Sequence, residues 1–143
     1  MTYKEITGDL FSAPEECYLA HCISNDFALG AGIAVQFNKR FNMRNRLKAM
    51  KNKPDFSDMN GYCILCDKIF NLVTKDKYWQ KPTYETLTKA LFGMKTMADE
   101  RNIVNIAMPI IGCGLDGLEW DKVSQIIQKV FEDTEINIKV YKL

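Results

Sequence analysis

The sequence predicts an α/β domain, because short apolar segments typical of strands alternate along the chain with amphipathic segments typical of helices. The clearest helix lies between Val123 and Phe131, where apolar residues recur at intervals of three and four. The clearest strand comes last, because Ile136, Ile138 and Val140 alternate with polar residues. A chain of 143 residues without internal repeats is typical of one domain, residues 1–143.

Six segments have the length and composition of strands. In chain order they are residues 3–7, 17–23, 62–66, 69–73, 103–108 and 136–140. The third and fourth segments are separated only by Asp67 and Lys68, and this spacing predicts a hairpin.

Three segments are predicted to be helices. Residues 31–41 start in a pair of glycines, residues 83–101 follow a proline, and the third helix begins near Trp120. Between the first helix and the hairpin, residues 50–60 are polar and are interrupted by Pro54. We predict a mobile loop there.

The charge balance argues against a general nucleic-acid or membrane surface. Lysine and arginine number 19 and aspartate and glutamate 18, so the formal net charge is +1. No excess of positive charge is available to attract phosphate groups. No apolar run approaches the roughly 20 residues that cross a bilayer, and the first residues lack an apolar signal segment. We therefore expect a cytoplasmic protein without membrane contact.

The five cysteines are expected to be reduced thiols. Cys63 and Cys66 form a CxxC pair, but their segment has strand composition and no second pair follows. The chain has one histidine, whereas a structural zinc site needs about four convergent ligands. We predict no metal and no cofactor.

Two glycine-rich loops have the composition of phosphate-binding loops. Gly30-Ala31-Gly32 precedes a predicted helix, and Gly112-Cys113-Gly114 lies between a predicted strand and the next helix. Glycine lets the backbone approach a ligand closely, and free N–H groups in such loops bind anions. Either loop alone could be structural, but together they could hold a pyrophosphate from both sides. Lys75 ends another apolar segment and would lie at the same edge of the sheet, although alone it also fits a solvated lysine.

Six runs carry a resemblance to a known family. They are Thr7-Gly8-Asp9-Leu10-Phe11, Ala20-His21-Cys22-Ile23-Ser24, Gly30-Ala31-Gly32-Ile33-Ala34-Val35, Val73-Thr74-Lys75, Lys81-Pro82-Thr83-Tyr84-Glu85 and Met108-Pro109-Ile110-Ile111-Gly112-Cys113-Gly114-Leu115-Asp116. In this order they resemble the motifs of macrodomains, and more narrowly the terminal ADP-ribose protein glycohydrolase branch. The resemblance implies a single macrodomain with three layers, α/β/α, around a mixed central sheet, acting as a monomer on ADP-ribose and ADP-ribosylated protein.

The resemblance also implies which residues contact ADP-ribose. Asp9 would accept a hydrogen bond from the adenine amino group beside the backbone of Leu10. The resemblance implies two phosphate-binding loops: the first consists of Gly30, Ala31, Gly32 and Ile33, and the second, beside Pro109, consists of Gly112, Cys113, Gly114 and Leu115. The residues implied to lie around the ribose and phosphates are His21, Ser24 and Thr74. Leu143 would lie near the adenosine. From the residues alone, Asp9 also fits a turn residue after Gly8, and His21 fits a structural histidine equally well.

In this branch a lysine and an aspartate perform the reaction, and they fall on Lys75 and Asp116. A neutral lysine amine can attack the electrophilic anomeric carbon of an acyl-linked ADP-ribose and form a covalent adduct. A carboxylate can take and return the protons. A free lysine is charged at neutral pH, and a nearby carboxylate favours the charged form. Two routes to the neutral amine therefore stay open: burial of the lysine, or proton transfer to the aspartate within the complex.

Three functions remain open. The first is hydrolysis of mono-ADP-ribose from glutamate or aspartate side chains, and of O-acetyl-ADP-ribose. The second is a non-catalytic ADP-ribose reader, which would need neither Lys75 nor Asp116. The third is removal of ADP-ribose from DNA bases, for which the net charge gives no support, although the lysines of a flexible loop could contact single strands. These lysines are Lys48, Lys51 and Lys53.

Two departures from the family pattern limit which residue roles can be transferred to this chain. Many other macrodomain hydrolases have a paired-asparagine loop where this chain reads Ser24-Asn25-Asp26. Their water-activating mechanism is therefore not assigned to this chain. Ile110 occupies a position where the family pattern suggests a basic residue, so we expect altered contacts near the distal ribose.

Overall fold

The computed structural model describes residues 1–50 and 52–143, and within them one mixed sheet is flanked by helices. The strands are β1 (Thr2–Thr7), β2 (Tyr18–Ser24), β3 (Tyr62–Cys66), β4 (Ile69–Lys75), β5 (Asn105–Pro109) and β6 (Asn137–Lys142). The helices are α1 (Ile33–Phe41), α2 (Met43–Lys48), α3 (Phe56–Met59), α4 (Tyr84–Glu100) and α5 (Trp120–Phe131). Short 3₁₀ turns cover Leu10–Ser12 and Gly114–Asp116.

The sheet has the strand order β1-β6-β5-β2-β4-β3. The first five strands in this order run parallel, and only the edge strand β3 is antiparallel, because it forms a hairpin with β4. Asp67 makes the hairpin turn with a left-handed backbone, φ +54°, which aspartate tolerates better than most residues. The α/β class, the mixed sheet and the hairpin are confirmed.

Strand residues alternate between the two faces of the sheet, and each face is covered by its own helices. On one face, Phe70 and Ile106 belong to the core cluster that contains α4 and α5. On the other face, Val73 belongs to the core cluster that contains Phe37 of α1 and Leu47 of α2. The predicted three-layer α/β/α arrangement is therefore confirmed.

All six predicted strands and all three predicted helices are present, with ends shifted by a few residues at most. Helix α2 was missed because Asn42, with φ +53°, separates it from α1 without a glycine or proline. Residues 50–60, which were predicted to form a mobile loop, contain a helix among the residues that the structure describes. Asp55 begins α3 within that segment by accepting a hydrogen bond from Ser57 N at 3.0 Å.

Candidate active site

The parallel strands all end at the same edge of the sheet, and the segments after them form the walls of one cavity. Strands β2 and β5 are neighbours, but the chain continues from β2 to α1 on one face and from β5 to α5 on the other. Ligands of open α/β sheets bind at such a point, where the connections diverge.

This cavity has a volume of about 1160 Å³, which is ample for a dinucleotide-sized ligand. It contains most of the residues expected at the site. Those that line it are Asp9, Leu10, Ser24, Gly30, Ala31, Gly32, Ile33, Lys75, Pro109, Gly112, Cys113, Gly114, Leu115, Asp116 and Leu143. Ile110, where we expected altered contacts near the distal ribose, lines it as well and adds an apolar side chain to its wall.

The first glycine-rich loop connects β2 to α1 and has an unusual backbone. Phe27 and Leu29 have positive φ angles of 56° and 46°, and Gly32 has φ 59° and ψ −149°. Non-glycine residues in the left-handed region cost free energy, and the Gly32 conformation is almost exclusive to glycine. No side chain caps the start of α1, so its first N–H groups remain available to an anion.

Two charged side chains that the motifs did not indicate hold this loop in place. Arg44 of α2 donates from Nε to Ala28 O at 2.9 Å, and its terminal nitrogen donates to the same oxygen and to Leu29 O. Asp26 accepts from Ala28 N at 3.2 Å and from the Ser24 hydroxyl. The strained backbone is thus fixed from both ends before any ligand binds.

The carboxylate of Asp26 also joins the loop to the segment after β4, because it accepts a hydrogen bond from Tyr78 N at 2.9 Å. Partial burial raises its pKa, but hydrogen bonds from Ser24, Tyr78 and Ala28 outweigh that effect and hold the pKa of Asp26 below its usual value. The ionised form therefore maintains these contacts at neutral pH.

The second glycine-rich loop follows β5 and turns back on itself. Leu118 N donates to Gly112 O at 2.9 Å, and Gly117 N donates to Gly114 O at 3.1 Å. A Cβ at Gly112, where φ is 73°, would lie 3.0 Å from the Leu118 side chain. Glycine is required at this position by both the backbone angle and the close packing.

Lys75 and Asp116 meet in the cavity wall. Lys75 is the last residue of β4, and Asp116 closes the 3₁₀ turn after β5. Lys75 Nζ lies 2.8 Å from Asp116 Oδ1, and the two side chains are 15% and 20% exposed. The pair therefore combines an amine, a carboxylate in direct hydrogen-bond contact, and access from the cavity.

At the opposite end of the cavity, Asp9 begins the 3₁₀ turn after β1 and accepts a hydrogen bond from Phe11 N at 3.0 Å. The Arg40 guanidinium lies over the Phe11 ring, 4.2 Å from its centroid, and both residues line the cavity. This end offers a carboxylate and a flat aromatic and cationic surface.

Two residues expected to contact ADP-ribose, His21 and Thr74, do not line the cavity. His21 is fully buried, donates from Nε2 to Asn71 Oδ1 at 2.7 Å and stacks on Phe37 with ring centroids 3.8 Å apart. Burial lowers the pKa of His21 to about 4, against the smaller opposing effect of Asn71. His21 is a structural residue between the sheet and α1, and Thr74 is buried in the sheet.

The segment Ser24-Asn25-Asp26 has a structural role in this chain. Asn25 is buried, accepts a hydrogen bond from the Tyr62 hydroxyl and donates to Pro54 O at 3.4 Å. Lys53 Nζ donates to Asn25 O at 2.6 Å, so this lysine is bound to the protein itself. Lys51 of the same expected basic loop lies outside the described residues.

Several cavity residues were not predicted from the sequence. Tyr78, Trp79 and Lys81, in the segment after Lys75, line the cavity. The signal that could have found them is the sequence Lys77-Tyr78-Trp79-Gln80-Lys81, in which two adjacent aromatic residues lie between lysines. Among residues 1–50 and 52–143 there is no group of three or more side chains able to hold a metal ion, and no helix is long and apolar enough to cross a membrane.

Comparisons with known proteins agree with this geometry. The family model described as Macro domain matches residues 20–127. The chain is 42% identical over 142 residues to the human protein named ADP-ribose glycohydrolase OARD1, across 96% of this chain and 90% of that protein. It is 30% identical over 149 residues to a DNA ADP-ribosyl glycohydrolase of Thermus aquaticus, across 96% of this chain and 40% of that protein. The solved macrodomain of Mycobacterium tuberculosis DarG has the same fold, with a TM-score of 0.85 and 24% identity over 98% of this chain and 97% of that one.

Proposed function

The chain belongs to the macrodomain family, and we propose that it is an ADP-ribosyl glycohydrolase in which Lys75 acts as nucleophile and Asp116 exchanges protons. Its kinship with an ADP-ribose glycohydrolase supports the activity. The observation that carries the assignment of residues is the 2.8 Å contact between Lys75 Nζ and Asp116 Oδ1 in the wall of the cavity.

The arrangement of the cavity suggests how ADP-ribose lies in it. The adenine is held at the end that contains Asp9 and Leu10, beside Phe11 and Arg40. The pyrophosphate lies between the two glycine-rich loops, whose backbone N–H groups and helix start favour anions. The distal ribose then reaches Lys75 and Asp116, which brings its anomeric carbon, C1″, to the amine.

In the first chemical step Lys75 Nζ, after its ammonium form has released one proton to solvent, attacks C1″ of an ADP-ribose that is esterified to a carboxyl group. The C1″–O bond breaks, the carboxylate leaves with the electron pair, and the proton lost by Nζ passes to Asp116. The 2.8 Å contact allows this transfer to occur directly within the complex. The pyrophosphate contacts position C1″ for attack and so lower the barrier.

In the second step water releases ADP-ribose from Lys75. The hydroxide part of the water forms a bond to C1″, the C1″–N bond breaks, and Nζ regains a proton from Asp116 while the carboxylate accepts the remaining proton of the water. The net products are ADP-ribose, the free carboxylate of the substrate and one proton. Glutamate- and aspartate-linked ADP-ribose and O-acetyl-ADP-ribose share the ester bond that this sequence requires.

Two alternatives predict different results. A non-catalytic reader would bind ADP-ribose but would not need an amine and a carboxylate in contact. Hydrolysis of ADP-ribose from a DNA base is favoured by one observation, the 30% identity to a DNA ADP-ribosyl glycohydrolase.

Lys75→Ala tests the proposal directly. We expect the variant to bind ADP-ribose in calorimetry but to lose release of ADP-ribose from a glutamate-linked substrate. Asp116→Asn should reduce turnover by about 10²- to 10⁴-fold, the usual contribution of a general acid or base. Lys129→Ala removes a lysine that is 78% exposed on α5, outside the cavity, and serves as the matched control. Full turnover by Lys75→Ala would exclude the covalent mechanism.

Chemical trapping of the covalent Lys75 adduct gives a second test of the same mechanism. Opening of the ribose ring in the Lys75 adduct breaks the bond from C1″ to the ring oxygen, moves the remaining Nζ proton to that oxygen and gives an imine. A hydride donor should reduce this imine, so that mass spectrometry finds a stable adduct on Lys75 in the wild type but not in Lys75→Ala. Asp9→Ala should weaken ADP-ribose binding without preventing the adduct at saturating substrate. Unchanged affinity in Asp9→Ala would mean that the adenine lies elsewhere.

A further inference from the structure

The carboxylate of Asp116 lies on a segment whose backbone has little rigidity of its own. Gly114 and Gly117, on either side of it, have φ angles of 72° and 81°, and a Cβ at either position would meet open space. Glycine has more backbone freedom than any other residue. The Asp116 side chain makes one hydrogen bond to the described part of the chain, the one to Lys75. Contacts elsewhere in the segment are therefore needed to set the position of this carboxylate.

Residues 81–85, which belong to the family motifs, supply two such contacts. Lys81 Nζ donates a hydrogen bond to Leu115 O, immediately before Asp116. After Asp116, Glu119 N donates to the Tyr84 hydroxyl at 3.1 Å. Residues 115–119 are thus held at both ends by one short stretch of chain, and the carboxylate lies between the two contacts.

The stretch that carries Lys81 and Tyr84 is itself anchored at the start of α4. The Thr83 hydroxyl accepts a hydrogen bond from Thr86 N at 3.1 Å, and Thr83 N donates to the Thr86 hydroxyl at 3.0 Å. This reciprocal pair is a capping box, which satisfies the first N–H groups of a helix and fixes its start. Leu87, in the next turn, is fully buried. The start of α4 is therefore a fixed support for the more flexible segment.

The part of the second glycine-rich loop that we propose to bind the pyrophosphate is held by a different contact. Gly112 O accepts a hydrogen bond from Leu118 N at 2.9 Å, which closes this loop on itself. Lys81 binds the carbonyl oxygen of Leu115 instead, and a carbonyl oxygen does not attract anions. We therefore expect loss of the Lys81 contact to displace Asp116 and to leave the anion-binding N–H groups in place.

We propose that Lys81 and Tyr84 are positioning residues, which hold the Asp116 carboxylate against Lys75 Nζ by fixing both ends of residues 115–119. The inference rests on the proposed function, in which Asp116 takes a proton from Nζ across the 2.8 Å contact. A displacement of about 1 Å near a reacting group can slow a reaction by about 100-fold. Both residues therefore affect the rate of the reaction more than the affinity for ADP-ribose.

Steady-state kinetics with a glutamate-linked substrate test this role. Lys81→Met keeps most of the length of the side chain but removes its amine, and should lower kcat by roughly 10- to 100-fold. Tyr84→Phe removes only the hydroxyl and should lower kcat by about 3- to 10-fold, because a neutral hydrogen bond is weaker than one from a charged donor. The affinity for free ADP-ribose should stay near that of the wild type. Lys81→Arg should restore most of kcat, because a guanidinium can donate to the same carbonyl. Lys89→Met removes a lysine of α4 that lies outside the cavity and serves as the matched control.

A double-mutant cycle shows whether Lys81 acts through Asp116. Lys81→Met should cost little further activity in the Asp116→Asn background, because that variant has already lost the carboxylate that Lys81 positions. Losses that multiply in the double variant would overturn the proposal, and so would wild-type kcat in Lys81→Met. A loss confined to ADP-ribose affinity would also overturn it and would assign Lys81 to ligand binding.

Amide hydrogen exchange measured by NMR reports on the segment without turnover. Gly117 N donates to Gly114 O across the turn that contains Asp116, and this amide should exchange faster in Lys81→Met and Tyr84→Phe. The Leu118 amide, which is bound to Gly112 O, should keep its protection and so shows that each variant is folded. Unchanged exchange at Gly117 in both variants would overturn the proposal. If the wild type releases ADP-ribose from no substrate, the proposed function fails, while the exchange rates still decide whether Lys81 and Tyr84 hold the segment.

Discussion

Among the residues outside the cavity, Arg44 is the one whose substitution we expect to weaken ligand binding most. Its guanidinium donates to Ala28 O and Leu29 O and so holds a loop in which Phe27 and Leu29 both have left-handed backbones. Hydrogen bonds from a charged donor contribute about 1.5–3 kcal/mol, and each left-handed non-glycine residue costs on the order of 1–3 kcal/mol. Without Arg44, the strain favours a relaxed loop that must be reordered when the phosphates bind.

We therefore expect Arg44→Ala to weaken ADP-ribose binding by about 10- to 100-fold, since 1.4 kcal/mol corresponds to a tenfold change in affinity. Arg44→Lys should recover only part of this, because a lysine cannot reproduce the fork of guanidinium donors. Arg46→Ala removes an exposed charge from the same helix and controls for electrostatic attraction. Calorimetric titration with ADP-ribose measures each variant. Wild-type affinity in a folded Arg44→Ala protein would refute the idea that this side chain organises the loop.

Two further predictions concern stability. Because burial lowers the pKa of His21 to about 4, below the 6.5 of an unfolded histidine, the unfolded chain binds more protons between these values. Protonation of His21 should therefore lower the free energy of unfolding by about 3 kcal/mol as the pH drops from 6.5 to 4, and should have no further effect below pH 4. Denaturant titrations measure this dependence in the wild type and in His21→Gln. The same pH dependence in both proteins would contradict the prediction. Gly61→Ala should destabilise the fold by more than about 2 kcal/mol, because φ is +120° and the new Cβ would lie 2.3 Å from Thr86 O. Gly117 has φ +81° and no atom near the position of a new Cβ, so Gly117→Ala should lower the stability by only about 1 kcal/mol. If thermal unfolding shows the same loss of stability in both variants, the contact with Thr86 is unimportant.

Local patterns were sufficient for most of the secondary structure. The helix periodicity of α5 and the short connection between β3 and β4 depend on residues close in sequence, and both were predicted. Helix α2 was not, because its boundary with α1 is a single left-handed asparagine, Asn42, which favours neither element by composition. Capping by Asp55 produced a helix in a segment that its polarity and proline had marked as a loop.

The sequence by itself determined the fold class and the motifs of the glycine-rich loops, because both depend only on neighbouring residues and on the order of the segments along the chain. Only the tertiary structure decided which side chains meet. Lys75 and Asp116 are 41 residues apart in the sequence. They come into contact because β4 and β5 are both neighbours of β2 in the sheet, so the segments that follow these two strands lie close together. His21 does not line the cavity because its side chain faces α1 and Asn71 inside the core. Strand order depends on packing between distant segments, and the local periodicity of the sequence does not specify it.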